Sequence, residues 1–160
     1  PQDAFARQVE DEVMIGESLL IAPVYEQNAR GRYVYLPEEM LQVRVNCAEG
    51  NRIETSVLPA GHHYIPVALT EVVFFVRKGH MLPLAKGVRD IQTVADVDFA
   101  DLRLFAYAPS GAAYTYYTDD GETKDYDNPA HFVHITLDAK GTAQSDRAAV
   151  KVEAAPAPLG

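Results

Sequence analysis

The sequence predicts a mainly β protein: an antiparallel β-sandwich, Greek-key-like in its connections, with a smaller second β-region. Two observations predict it. Short apolar or alternating runs recur along the chain, with turn signals at close spacing between them. The earliest runs, Val13-Met14-Ile15 and Leu19-Leu20-Ile21-Ala22, are split by Gly16. They read as strands covered on both faces and not as an amphipathic helix.

Residues 3–9 predict a short helix, with Asp3 as N-cap and Phe5 and Val9 four apart on one face. Residues 33–36 form a strand that ends at Pro37. Residues 43–46 alternate with period two before the turn Glu49-Gly50-Asn51. Residues 53–58 alternate more loosely and stop at Pro59-Ala60-Gly61. Pro66 makes residues 63–67 an edge strand or a strand end. Residues 71–76 are strongly apolar and form the candidate central strand; Gly79 breaks them, and Met81-Leu82-Pro83-Leu84 follows. Further strand-like runs occupy residues 102–108, 113–118, 131–137 and 149–152.

The chain has 160 residues, 48% hydrophobic and 23% charged, which fits a soluble globular protein and excludes wholesale disorder. A net charge of −9 argues against a nucleic-acid partner and against an anionic membrane surface. Neutral sugars are compatible with it. Cys47 is the only cysteine, so neither an internal disulfide nor a Cys-based zinc site is expected, and a reducing, cytoplasmic compartment is favoured. No apolar run is long enough to cross a bilayer, and the first residues lack the features of a signal peptide. Opening on Pro1 points to an excised segment.

Each motif has a plain structural reading. Asp120-Gly121, between strand-like segments, is a hairpin signature. Calcium is the rival, since Asp119, Asp120, Asp125 and Asp127 offer oxygens, but Gly121 comes too early and no Glu closes the loop. Gly16-Glu17-Ser18-Leu19-Leu20 is no nucleophile elbow, because Leu20 stands where the second glycine must be. His62 and His63 diverge, and so do His131 and His134 on a strand, so no metal site is assigned. Tyr114 and Tyr116 share a strand face; with Tyr126 they are the candidate sugar-stacking residues, although tyrosine is equally a good packing residue for strands. The adjacent carboxylates Glu38-Glu39 and Asp119-Asp120 point apart on a strand, and none receives a catalytic role. No catalytic, cofactor-binding or metal-binding residue is therefore assigned.

Four motifs carry a resemblance: Asp11-Glu12-Val13-Met14-Ile15-Gly16, Tyr35-Leu36-Pro37, Phe75-Val76-Arg77-Lys78-Gly79-His80-Met81-Leu82-Pro83-Leu84 and Tyr117-Thr118-Asp119-Asp120-Gly121-Glu122. In this order they resemble the C-terminal region of glycoside hydrolase family 31, the α-glucosidase and α-xylosidase family. The likeness covers roughly residues 11–126. It implies a helix stub and last barrel strand at 1–16 and a proximal β-sandwich at 17–86. A linker at 87–101, a shortened distal β-region at 102–153 and a loose tail at 154–160 would follow. Many members carry a tryptophan soon after the Tyr-Leu-Pro run, where this chain has Met40-Leu41.

The family's nucleophile and acid/base aspartates match nothing here. The resemblance therefore implies a non-catalytic portion, inactive alone, that braces an upstream (β/α)8 barrel. The parent would be a retaining enzyme that hydrolyses terminal α-linked glucosyl residues without a cofactor, with a carbohydrate as substrate. A barrel strand without partners should tuck against the sandwich or be disordered. The alternative of another class is an independent carbohydrate-binding or adhesion sandwich.

Overall fold

A computed structural model describes residues 3–86, 93–119 and 121–155. They form two compact units, the first running to Lys78 and the second spanning Gly79–Ala155. Both are built from β-strands, and among the described residues no helix is long and apolar enough to cross a membrane.

The first unit holds β1 (Val13–Ile15), β2 (Leu19–Ile21), β3 (Gly31–Leu36), β4 (Met40–Asn46), β5 (Arg52–Leu58), β6 (Gly61–Pro66) and β7 (Glu71–Arg77). Five of them make an antiparallel sheet in the order β1-β2-β7-β4-β5, and β3 pairs with β6 in a second sheet. The chain leaves the large sheet after β5, crosses to pair as β6, and returns as β7 beside β4. This is the expected Greek-key-like path. Leu20, Met40 and Phe75 from the large sheet meet Val34, Leu36 and Ile65 from the small one to form the sandwich core. β7 is central, as its apolar text predicts: Phe75 faces that core while Phe74 and Val76 are buried on the opposite face.

Residues 4–8 form turns and not the expected helix. Asp3 does cap, accepting the N–H groups of Phe5 at 2.9 Å and Ala6 at 3.2 Å. The segment is too short to propagate a helix, and Phe5 is drawn instead to rings on β3 and β6. β1 tucks onto the sheet as its edge strand, Val13 opposite Ile21 and Ile15 opposite Leu19.

The second unit holds β8 (His80–Ala85), β9 (Asp101–Tyr107), β10 (Ala112–Tyr117), β11 (Phe132–Leu137), β12 (Ala143–Ser145) and β13 (Lys151–Ala154). Its two sheets run β13-β9-β8 and β10-β11-β12. Met81, Leu102 and Leu104 from one pack on Ile135 and Leu137 from the other. β13 lies parallel to β9, an exception to the antiparallel rule elsewhere. The division into units falls after Lys78, because β8 pairs with β9 along its whole length. The expected seam at 87–101 therefore follows β8, which is already part of the second unit. Residues 87–92 of that linker and 156–160 of the tail lie outside the described residues.

Candidate functional site

The outward face of the β3–β6 sheet is a block of rings. Register sets Tyr33 opposite Tyr64 and Tyr35 opposite His62, while alternation sends Val34, Leu36 and Ile65 into the core. Ring centroids are 5.2 Å apart in the first pair and 4.8 Å in the second. Phe5 covers the second pair, 5.9 Å from Tyr35 and 5.8 Å from His62. Tyr33 and Tyr64 stay open, 71% and 53% exposed.

Polar bonds fasten the start of the chain to this sheet. Asp3 Oδ2 accepts the Tyr35 hydroxyl at 2.7 Å, which holds the Asp3 carboxyl below its ordinary value and the Tyr35 phenol above it. Glu12 Oε1 accepts the Tyr35 backbone N–H at 2.7 Å. Burial pushes the Glu12 carboxyl up, against the opposing pull of that N–H and of Arg32. Arg32 pairs with Asp11 Oδ2 at 2.5 Å, donates to the carbonyls of Asp11 and Pro23, and lies 5.8 Å from the Tyr25 ring centroid. Chemically this arrangement holds one segment of chain to another. It leads directly into β1, whose Val13, Met14 and Ile15 are each about half exposed.

A groove of about 1170 Å³ lies in the same unit, lined among others by Val24, Arg30, Arg44, Leu69, Glu71 and Val72. Arg44 pairs with Glu71 at 2.6 Å and also donates to the Pro66 carbonyl. Glu71 is held below the usual carboxylate range first by the Ala68 N–H and then by Arg44. These two charges are spent on each other.

The tyrosines singled out from sequence separate. Tyr114 and Tyr116 pack against the core of the second unit, and Tyr116 donates its hydroxyl to the Phe99 carbonyl at 2.9 Å. Burial pushes the Tyr116 phenol up. Tyr126, by contrast, is 74% exposed. The block on β3 and β6 was not singled out, although the alternation in Tyr33-Val34-Tyr35-Leu36 already put two tyrosines on one face.

The adjacent carboxylates Glu38 and Glu39 turn to separate cations, Arg77 and Lys78. His63 bonds the Pro59 carbonyl while His62 joins the ring block. His131 reaches Asp125 at 2.9 Å, and His134 reaches the Thr115 hydroxyl at 2.8 Å. Asp119 accepts the N–H of Gly121, whose φ of +74° suits glycine. That bond lies in the fourteen-residue connection between β10 and β11 and not in a two-residue hairpin. Asp120 lies outside the described residues. Among the described residues no three His, Cys, Asp or Glu side chains gather closely enough to hold a metal.

The family described as glycosyl hydrolase family 31 C-terminal domain matches residues 1–82, just over half of the chain. The chain belongs to glycosyl hydrolase family 31. A 1,6-α-glucosyltransferase of Sporosarcina globispora is 31% identical over 132 residues, covering 82% of this chain and 10% of that protein. The neutral α-glucosidase AB of Mus musculus is 30% identical over 136 residues, covering 83% and 14%. The chain thus spans only a small part of the length of these relatives. Among solved structures, a family 31 dextranase of Flavobacterium johnsoniae matches with a TM-score of 0.64 at 24% identity, covering 87% of this chain and 16% of that one. A family 31 α-xylosidase of Xanthomonas citri matches with a TM-score of 0.59 at 20% identity, covering 99% and 18%. At these identities the likeness is one of fold. The family 31 match contains the ring block, its polar fastenings and the groove, and it ends inside β8.

Proposed function

We propose that this chain is the non-catalytic C-terminal β-sandwich portion of an α-glucosidase-like glycoside hydrolase, and that it braces a catalytic (β/α)8 barrel preceding it. The observation that carries this reading is the match of residues 1–82 to the family's C-terminal domain, in relatives of which the chain covers 10% and 14%. The half-exposed apolar β1 and the fastened segment before it supply a physical route for bracing. A strand with apolar side chains open on both faces gains about 25 cal/mol for each Å² that a neighbour covers. The parent would hydrolyse terminal α-linked glucosyl residues by a retaining mechanism with two aspartates. A reducing, cytoplasmic setting suits the exposed thiol of Cys47.

The test compares the complete reading frame with a version lacking residues 17–160. The complete enzyme should turn over an α-glucoside, and the shortened one should lose solubility and thermal stability together with activity. The 160-residue chain alone should show no turnover. Full activity in the shortened enzyme, or turnover by the chain alone, would sink the reading. A second reading, a carbohydrate-binding module, is favoured by the open ring of Tyr126. Saturable oligosaccharide binding by the isolated chain, lost in Tyr126→Ala, would support it.

A further inference from the structure

The neck of the loop between β10 and β11 is fastened by a backbone bond and by one side chain. Thr118 N–H donates to the His131 carbonyl at 2.7 Å, so the backbone already brings the two ends of the loop together. The His131 ring then bonds at both nitrogens. Nε2 lies 2.9 Å from Asp125 Oδ1 and Nδ1 lies 3.2 Å from the Thr118 carbonyl oxygen. The other Asp125 oxygen accepts Asn128 Nδ2 at 2.9 Å.

Both partners of the ring accept and do not donate: one is a backbone carbonyl, the other an ionised carboxylate. A neutral imidazole has a single N–H and would leave one of these contacts as two facing lone pairs. Only the imidazolium satisfies both. We propose that His131 is a pH-operated clasp that ties Asp125, and with it the neighbouring Lys124, to the Thr118 carbonyl only while both ring nitrogens are protonated. The proposal is independent of any bracing role.

The surroundings agree. Asp125, and more weakly Asp119, face the ring from the loop, and the Tyr117 ring from β10 lies 5.5 Å away. Arg147 is the neighbouring cation, and it donates to the carbonyls of Ala130 and Phe132 on either side. The Asp125 bond holds His131 above its ordinary value of 6.5. Asn128, and after it His131, holds Asp125 below 3.8. The histidine's contribution is complete below 6.5 and fades as pH rises through its raised value. The aspartate's is complete above 3.8 and fades as pH falls through its lowered one. The clasp therefore holds in mildly acidic to near-neutral solution and opens in base.

Lys124, exposed in the loop, gives a direct readout. Tryptic cleavage after it is measured across pH in the 160-residue chain, relative to a free peptide of residues 121–128 at each pH. The His131 Cε1–H resonance is titrated in the same chain. We expect a His131 midpoint above 6.5, a severalfold rise in relative cleavage through that midpoint, and a midpoint drawn back toward 6.5 in Asp125→Asn. In His131→Gln, which cannot titrate, relative cleavage should not vary with pH. A midpoint at or below 6.5, a flat profile in the unaltered chain, or a His131→Gln profile that tracks it would overturn the proposal. The titration needs no variant, so it decides even if the substitution unfolds the unit.

Discussion

Glu12 holds two opposing demands in one side chain. Its carboxylate receives the Tyr35 N–H on the edge of β3, yet burial is the largest influence on it and disfavours the charge. The folded state therefore takes up a proton at higher pH than the unfolded chain does. Ionised Glu12 costs stability at neutral pH, and the cost disappears as pH falls through the raised value toward 4.5. Glu12→Gln keeps a carbonyl oxygen for the N–H and removes the charge. It should raise the unfolding midpoint slightly at pH 7, and the gain should vanish near pH 4. Glu12→Ala leaves the donor without its acceptor and should lose about 1 kcal/mol at pH 7 in denaturant titration. Neither the bond nor its partner was legible in the sequence, because the two residues stand 23 apart and nothing local couples them. Asp3 is the contrary case. Its capping of Phe5 and Ala6 is a local bond, and it was legible even though the helix behind it did not form.

At the scale of single elements, legibility followed the strength of side-chain preference. β7 was evident because Val72-Val73-Phe74-Phe75-Val76 has few other ways to be satisfied than burial on both faces. β12 was missed: Ala143-Gln144-Ser145 has no such preference, and its place is set by its ladder to β11. Phe75 is 1% exposed and meets side chains of both sheets of its sandwich, so Phe75→Ala should cost about 3–5 kcal/mol. Tyr33→Ala, on the open face, should cost far less, and denaturant midpoints of the two variants give the comparison. Backbone approach is a second determinant that composition hides. At Gly31 a Cβ would stand 2.3 Å from the Ile65 carbonyl oxygen and 2.8 Å from the Pro66 Cα, both backbone atoms of β6. Gly31→Ala must push β3 away from β6, and a loss of about 1–3 kcal/mol is expected from the same measurement.

For the molecule as a whole, the sequence reading and the contacts draw the boundary between units differently. The acidic, small-residue text of 87–101 reads as a linker, whereas the contacts divide the chain after Lys78. The cause is a ladder that local text cannot announce: His80 pairs with Tyr107 and Ala85 with Leu102, across an intervening stretch of sequence. Met81, 1% exposed, goes with β8 into the core of the second unit. The two boundaries predict opposite behaviour for two polypeptides. Residues 79–155 keep the β13-β9-β8 sheet whole and should unfold cooperatively, with a β-type circular dichroism spectrum. Residues 87–155 lose a sheet partner and a buried methionine whose truncation alone typically costs about 2–5 kcal/mol. That loss is a large part of the roughly 5–15 kcal/mol by which a domain is stable. The shorter polypeptide should therefore show no cooperative transition. If it unfolds as sharply and at the same midpoint as residues 79–155, β8 contributes nothing to that unit and the boundary belongs at the linker.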